Sequence, residues 1–287
     1  MCVTCGCSDD NAKITHPQMN EKLKMNSHHD EHHTHTLPDG KVITHSHSHD
    51  DIDSASAIHA KIHNTTISLE QNILAKNNLI AAQNRGWFKG RNILALNLMS
   101  SPGAGKTTLL TRTINDLKNT LTISVIEGDQ ETINDAKKIE ETGCKVVQIN
   151  TGTGCHLDAS MIEKGLEQLN PNLDSVVMIE NVGNLVCPAL FDLGEQAKVT
   201  ILSVTEGEDK PIKYPHIFRA SDVMIITKID LLPYLKFDVE KCIEYARKVN
   251  PDIRIFQVSA ITGEGLDAWY QWLGMREVKV MKFKVGS

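Results

Sequence analysis

The sequence contains no uninterrupted apolar run of about eighteen residues, the length a helix needs to cross a bilayer, so no membrane span is expected. It has no apolar segment near its start, so no secretory signal is expected either. It also lacks a bulk basic field. Lys and Arg number 30 against 36 Asp and Glu, for a net charge of -6, which argues against nucleic acid or an acidic membrane as partner. No internal repeat is visible. The expected location is cytoplasmic, where thiols stay reduced. The seven cysteines are therefore candidates for metal binding or buried packing and not for disulfides. With 287 residues, the chain is long enough for one α/β domain and an extension.

Three regions differ in composition. Residues 1–55 are polar and poor in large apolar side chains, cannot pack a core, and are expected to form a disordered, metal-binding extension. They open on "MCVTCGCSDD", with Cys2, Cys5 and Cys7. Further on, "HHDEHHTHTLPDGKVITHSHSHD" carries His28, His29, His32, His33, His35, His45, His47 and His49. The irregular spacing and interspersed acids argue against a purification tag. The tract reads either as a soluble low-complexity tail or as a buffer for nickel, zinc or copper. In residues 56–85, Ile58, Ile62, Leu69, Ile73 and Ile80 recur at helical spacing, and Gly86 fits a stop. Residues 56–90 are accordingly expected to form a helix docked on the main domain. In residues 91–287, seven short apolar runs ("ILALNLM", "LTISVIE", "KVVQI", "SVVMIE", "KVTILSVT", "DVMIIT", "RIFQVSA") alternate with helical segments. That alternation predicts βαβ units and an α/β fold with a mainly parallel sheet, flanked by helices on both faces.

The first run leads into "SSPGAGKTTLL", a P-loop. Gly103, Ala104 and Gly105 let backbone N–H groups wrap a phosphate chain, with Thr108 behind them at the start of a helix whose dipole favours anions. Lys106 offers a point charge to the β- and γ-phosphates, and the Thr107 hydroxyl is a magnesium ligand. Ser100 stands where the usual pattern has its first glycine. The sixth run ends in "ITKIDLLPYL". Asp230 can accept both N1–H and the exocyclic amine of guanine, a pair that adenine does not offer, and Lys228 would lie over the ring. Thr227 stands where GTP-binding proteins normally carry Asn, which loses one amide contact. "VSAITGEG" after the last run places Ser259 and Ala260 as support for the other side of the base. GTP and GDP with Mg2+ are therefore the expected ligands.

Magnesium and water need carboxylates. "VIEGDQET" offers Asp129, assigned to magnesium or to the attacking water; "VVMIENVG" offers Glu180, assigned to the outer magnesium shell. Asp129 could instead cap a following helix. No Gln of the small-signalling-GTPase kind is apparent, so slow turnover and a switch role are expected. Lys106 and Asp129 are the catalytic candidates.

"NTGTGCHLDAS" places Cys155 and His156 at a strand-to-helix turn, where a thiol pKa falls. "IENVGNLVCPAL" places Cys187 seven residues beyond Glu180, on the stretch expected to respond to the γ-phosphate. Both segments leave C-terminal ends of strands, so they can meet on one face. Two thiolates and an imidazole suit zinc or nickel. Cys144 and Cys242 lie in ordinary helical or loop settings and receive no role.

These stretches, "MCVTCGC", "SSPGAGKTT", "EGDQ", "NTGTGCHLDA", "ENVGNLVCP", "KIDLLPYL" and "SAITGEGL", together resemble the HypB family of hydrogenase-maturation nickel-insertion GTPases. The resemblance covers residues 1–7 and most of 91–273. It implies a GTP-dependent homodimer that delivers Ni(II) toward the large subunit of [NiFe]-hydrogenase, with partner maturation proteins. It also implies that Cys2, Cys5 and Cys7 form a high-affinity nickel site, and that Cys155, His156 and Cys187 form a metal site of the GTPase domain. If Met1 is removed, the free α-amine becomes a fourth donor in the square-planar field that Ni(II) favours. A zinc knuckle short of one ligand, or redox-idle thiols, is the rival account of that arm. For the whole chain the rivals are a nickel or zinc buffer whose nucleotide domain controls assembly, and a related GTPase serving urease or a cobalamin enzyme.

Overall fold

The computed structural model describes residues 32–36, 42–46, 52–129, 134–152 and 154–282, with side chains described from 71 to 274 outside the gaps. Cys2, Cys5, Cys7, His28, His29, His47 and His49 lie outside the described residues. The chain divides into a unit of residues 9–72 and one containing residues 73–287.

In the smaller unit, β1 (His32–Thr36) pairs antiparallel with β2 (Val42–Ser46). The composition of residues 1–55 predicts no regular structure there. The strand pair described within that stretch has a local physical reason. Thr34, Thr36, Val42, Ile43 and Thr44 are β-branched and favour the extended backbone whatever the charge around them.

Helix α1 runs from Ile52 to Gly90. It therefore starts before residue 56, and Gly86 lies inside it rather than at its end. The buried face also differs from the expected isoleucine stripe. Asn77, Ala81, Asn84 and Phe88 face the domain, whereas Ile73 is 49% exposed. The asparagines are there because this helix packs on loops, whose backbone groups need partners once buried. Asn77 accepts from the Ala159 N–H at 2.9 Å and donates to the Asp192 carbonyl at 2.8 Å. Asn84 donates to the carbonyls of Ala159 at 2.8 Å and Leu193 at 3.1 Å. Arg85 forms a two-pronged ion pair with Asp192. Asn84→Ala strands two carbonyls and is expected to cost about 1–3 kcal/mol. Thermal unfolding should show a loss of several degrees, since about 1 kcal/mol moves Tm by roughly 2–4 °C in a domain of this size. An unchanged midpoint would mean water replaces the amide without cost.

All seven apolar runs become strands: β3 (Leu94–Ser100), β4 (Ile123–Asp129), β5 (Lys145–Asn150), β6 (Val176–Glu180), β7 (Ala197–Ser203), β8 (Val223–Thr227) and β9 (Arg254–Val258). They form one parallel sheet in the order β5-β4-β6-β3-β7-β8-β9. Interior strands β3 and β8 are buried throughout, while the edges β5 and β9 keep exposed residues, as a sheet covered on both faces requires. Leu96, Leu98, Val125 and Met178 pack toward α2 (Lys106–Leu117) and Trp269, Trp272 and Leu273 of α9 (Leu266–Lys282). Ala95, Ile126, Val177 and Ile179 pack on the other side against Phe88 of α1 and Ile162, Leu166 and Leu169 of α4 (Ala159–Leu169). Because every strand of this seven-stranded sheet is parallel, the loops of the larger unit that carry polar motifs leave one edge of it.

Candidate nucleotide and metal site

After β3 the chain turns through Ser101-Pro102-Gly103-Ala104-Gly105 into α2. Gly103 at φ 75° and Gly105 at φ 88° use the left-handed region that only glycine enters cheaply. Ser100, in the place of the usual glycine, is buried and its hydroxyl donates to the Ser101 carbonyl. The first turn of α2 itself contains no acidic residue to oppose an anion at its N-terminus. Thr227 does more than replace Asn. Its hydroxyl donates to the Ala104 carbonyl at 2.7 Å, and Lys228 Nζ donates to the Gly103 carbonyl at 2.8 Å. The end of β8 is thereby tied directly to the phosphate loop.

A cavity of about 500 Å³ opens beside the loop, lined by residues 100–108 together with Glu127, Asp129, Glu180 and Lys228. Lys106 Nζ lies 3.0 Å from Glu180 Oε1, and the Thr107 hydroxyl donates to the same oxygen at 2.6 Å. Glu180 is 1% exposed, and its Oε2 has no hydrogen-bond partner. Glu127 was not among the expected residues. It sits on β4 in register with Glu180 on β6, is 2% exposed, and its Oε2 also has no partner. Burial, then the charges of Glu180 and Asp129, push its carboxyl up to about 8, with Lys106 opposing. The signal available in the sequence was a glutamate two places before Asp129 in an otherwise apolar strand end.

Asp230 lies in the short 3₁₀ helix Ile229–Tyr234 after β8, and its Oδ1 is buried without a partner. Ser259 is buried beyond β9 and its hydroxyl accepts from the Thr262 N–H, while the Ala260 carbonyl accepts from Arg112 at 2.9 Å. These three do not line the phosphate cavity. They occupy the adjoining strand ends, next to Lys228, which does.

On the opposite side, Cys155, His156 and Cys187 bring one ligand atom each to within 4.8 Å of one another. Cys155 and Cys187 sulfurs are 2.8 Å apart, and Cys155 Sγ is 3.6 Å from His156 Nδ1. Cys187 opens the short helix α5 (Cys187–Leu190). The His156 ring stacks on Phe191 at 3.8 Å. Burial lowers the imidazole pKa against an opposing pull from Asp158, which favours the neutral, metal-binding form. In the other two described cysteines, burial pushes the Cys144 thiol up to about 11 and the Cys242 thiol up to about 12, away from the thiolate a metal needs.

The two sites share a linker. Asn181, next to Glu180 and fully buried, accepts from the Leu157 N–H at 3.1 Å and the Val182 N–H at 3.0 Å. It donates to Asn97 of β3 at 3.1 Å, and Asn97 donates to Glu195. The residue after His156 is thus held by the residue after Glu180.

The parallel sheet, the glycine loop entering α2 and the Lys106–Thr107 pair define a P-loop GTPase. The family model described as CobW/HypB/UreG, nucleotide-binding domain, matches residues 94–257. The chain is 58% identical over 207 residues to hydrogenase maturation factor HypB of Escherichia coli K12, covering 72% of this chain and 71% of that protein. It is 38% identical over 215 residues to the probable HypB of Methanocaldococcus jannaschii, covering 74% of this chain and 97% of that one. Among solved structures, HypB from Helicobacter pylori in complex with nickel aligns with a TM-score of 0.67 at 37% identity, covering 71% of this chain and 96% of that one. HypB from Archaeoglobus fulgidus aligns with a TM-score of 0.66 at 38% identity, covering 71% and 100%. The chain belongs to the CobW/HypB/UreG nucleotide-binding family and, within it, to the hydrogenase maturation factors HypB. Among the described residues, no helix is long and apolar enough to cross a membrane.

Proposed function

We propose that this chain is a GTP-hydrolysing nickel metallochaperone whose metal binding is coupled to the GTP or GDP state and which delivers Ni(II) for [NiFe]-hydrogenase maturation. The observation that carries the reading is the segment from Glu180 to Cys187. It begins at the P-loop threonine, bonds through Asn181 to the Cys155–His156 turn, and ends in a thiol of the metal cluster.

Thr107, Asp129 and Glu180 would hold Mg2+; the unpartnered, buried Glu180 Oε2 beside the Thr107 hydroxyl suits a hard cation. Bound there, the ion neutralises charge on the β- and γ-phosphates. Lys106 leaves Glu180 for the phosphate oxygens, and Asp129 orients the attacking water. Loss of the γ-phosphate releases the Glu180 segment, which moves Cys187 and, through Asn181, the Cys155–His156 turn. Cys2, Cys5 and Cys7 capture nickel first; zinc is the competing ion at either site. The working form is a homodimer favoured by GTP, its recipients the other maturation proteins and the hydrogenase large subunit, in the cytoplasm.

A buffering role is the second reading, and the hairpin register favours it: His33 stands opposite His45, with His35 two places along. A buffer holds several ions per chain and loses most of them when residues 28–49 are deleted.

The test uses the full chain with Cys2, Cys5 and Cys7 replaced by Ala, titrated with nickel in GDP and in a non-hydrolysable GTP analogue. Thiolate-to-nickel charge-transfer absorbance reports Cys155 and Cys187 while histidines stay silent. The two nucleotides should give affinities differing by about 5–150-fold, the usual range of a coupling free energy. Superimposable isotherms would remove the coupling.

A further inference from the structure

We propose that Glu127 is a cation-site carboxylate of the nucleotide pocket, acting with Glu180 to hold the divalent ion that accompanies the phosphates. Glu127 and Glu180 are register partners on adjacent strands β4 and β6, so their side chains leave the same sheet edge one strand spacing apart. Both are almost wholly buried, at 2% and 1% exposure, and both line the cavity beside the phosphate loop. Each turns one oxygen, Oε2, to no protein donor.

Two neighbouring buried carboxylates are costly unless a cation stands between or beside them. In this structure Lys106 stands beside Glu180, with its side chain 12% exposed and Nζ 3.0 Å from Oε1. A lysine of the phosphate loop cannot serve that carboxylate and a triphosphate equally. Once it turns to the phosphates, the pair is left without its cation and with two unpartnered oxygens. A hard divalent ion supplies what is missing. Mg2+ keeps several waters and takes one or two protein carboxylates together with phosphate oxygens. Asp129, at the end of the same strand and on the same side of the pleat as Glu127, adds a third acid at the cavity wall. Glu127 sits deeper than Asp129, which is half-buried, and so feels less solvent screening.

The inference rests on the nucleotide reading and goes beyond it, because it assigns a ligand-bearing role to a residue outside the P-loop and the Asp129–Glu180 pair. The experiment is a magnesium titration of GDP binding to the full chain, read by a fluorescent GDP analogue with no metal other than Mg2+ present. In the parent, Mg2+ should tighten binding or slow GDP release. In Glu127→Gln, which keeps the shape and removes the charge, the magnesium midpoint should rise about tenfold or more. Each protein's midpoint is read relative to its own GDP affinity in chelator. Glu127→Asp keeps the charge on a shorter arm and should fall between the two. If Glu127→Gln unfolds, Glu127→Asp decides, since a purely structural glutamate would leave its magnesium midpoint at the parent value. An unshifted midpoint in a folded variant overturns the role of Glu127. A parent whose GDP binding ignores Mg2+ overturns the nucleotide reading instead.

Discussion

Lys106→Ala is expected to lower single-turnover GTP hydrolysis by about 10²–10³-fold, with the protein still folded. The size follows from removing one preorganised charged donor from developing transition-state charge, which costs about 2.7–4 kcal/mol. The structure indicates why the fold should survive. Lys106 is the first residue of α2 and partly exposed, and its ion-pair partner, Glu180, keeps the Thr107 hydroxyl. Nucleotide affinity should fall less than the rate, because the backbone of residues 103–107 and the helix N-terminus bind ground-state phosphates without the lysine. The measurement is quenched-flow hydrolysis at saturating GTP and Mg2+, with circular dichroism as the folding control. A rate within threefold of the parent would mean that Lys106 serves only to neutralise Glu180.

Asp230→Ala is expected to erase the preference for GTP over ATP. Asp230 Oδ1 is buried and unpartnered, and hydrogen bonds to a charged acceptor contribute about 1.5–3 kcal/mol each. Losing two such bonds lowers GTP affinity by about 10²–10⁴-fold while leaving ATP near its former value. Asp230→Asn sharpens the test. The amide presents a donor where the carboxylate accepted, so xanthosine triphosphate, with a carbonyl in place of the guanine amine, should gain on GTP. Competition binding with the three nucleotides reads this directly. Equal binding of ATP and GTP by the parent would overturn the guanine assignment.

The seven strands were legible because a sheet covered on both faces needs continuous apolar runs, and the chain supplies seven of them. The phosphate loop was legible for a similar reason: glycine, lysine and threonine at fixed spacing serve a geometry that few other residues can meet. Side chains whose role depends on what they meet across the fold were not. The face of α1 was misassigned because Asn77 and Asn84 read as solvent-facing, although the loops over which they lie present bare backbone groups. Glu127 escaped because a lone acid in a strand carries no periodic signature, and its meaning comes from register with Glu180 on a strand about fifty residues away. Thr227 read as a loss because its hydroxyl partner, the Ala104 carbonyl, is 123 residues distant. The hairpin in the histidine tract was hidden by composition that resembles disorder.

The strand order separates two kinds of information. β3, with the phosphate loop at its end, stands in the middle of the sheet. Asp230, Ser259 and Ala260, proposed to read the base, follow β8 and β9 on one flank, and Cys155, His156 and Cys187 follow β5 and β6 on the other. In the proposed reading, only the phosphate end of the nucleotide reaches the flank that carries the metal-binding side chains. The metal cluster would then sense how many phosphates are present and be blind to the base that bears them. Guanine recognition would act as a passport check at the entrance and play no part in the message delivered inside. A triphosphate with a foreign base, once lodged, would set the thiols as GTP does.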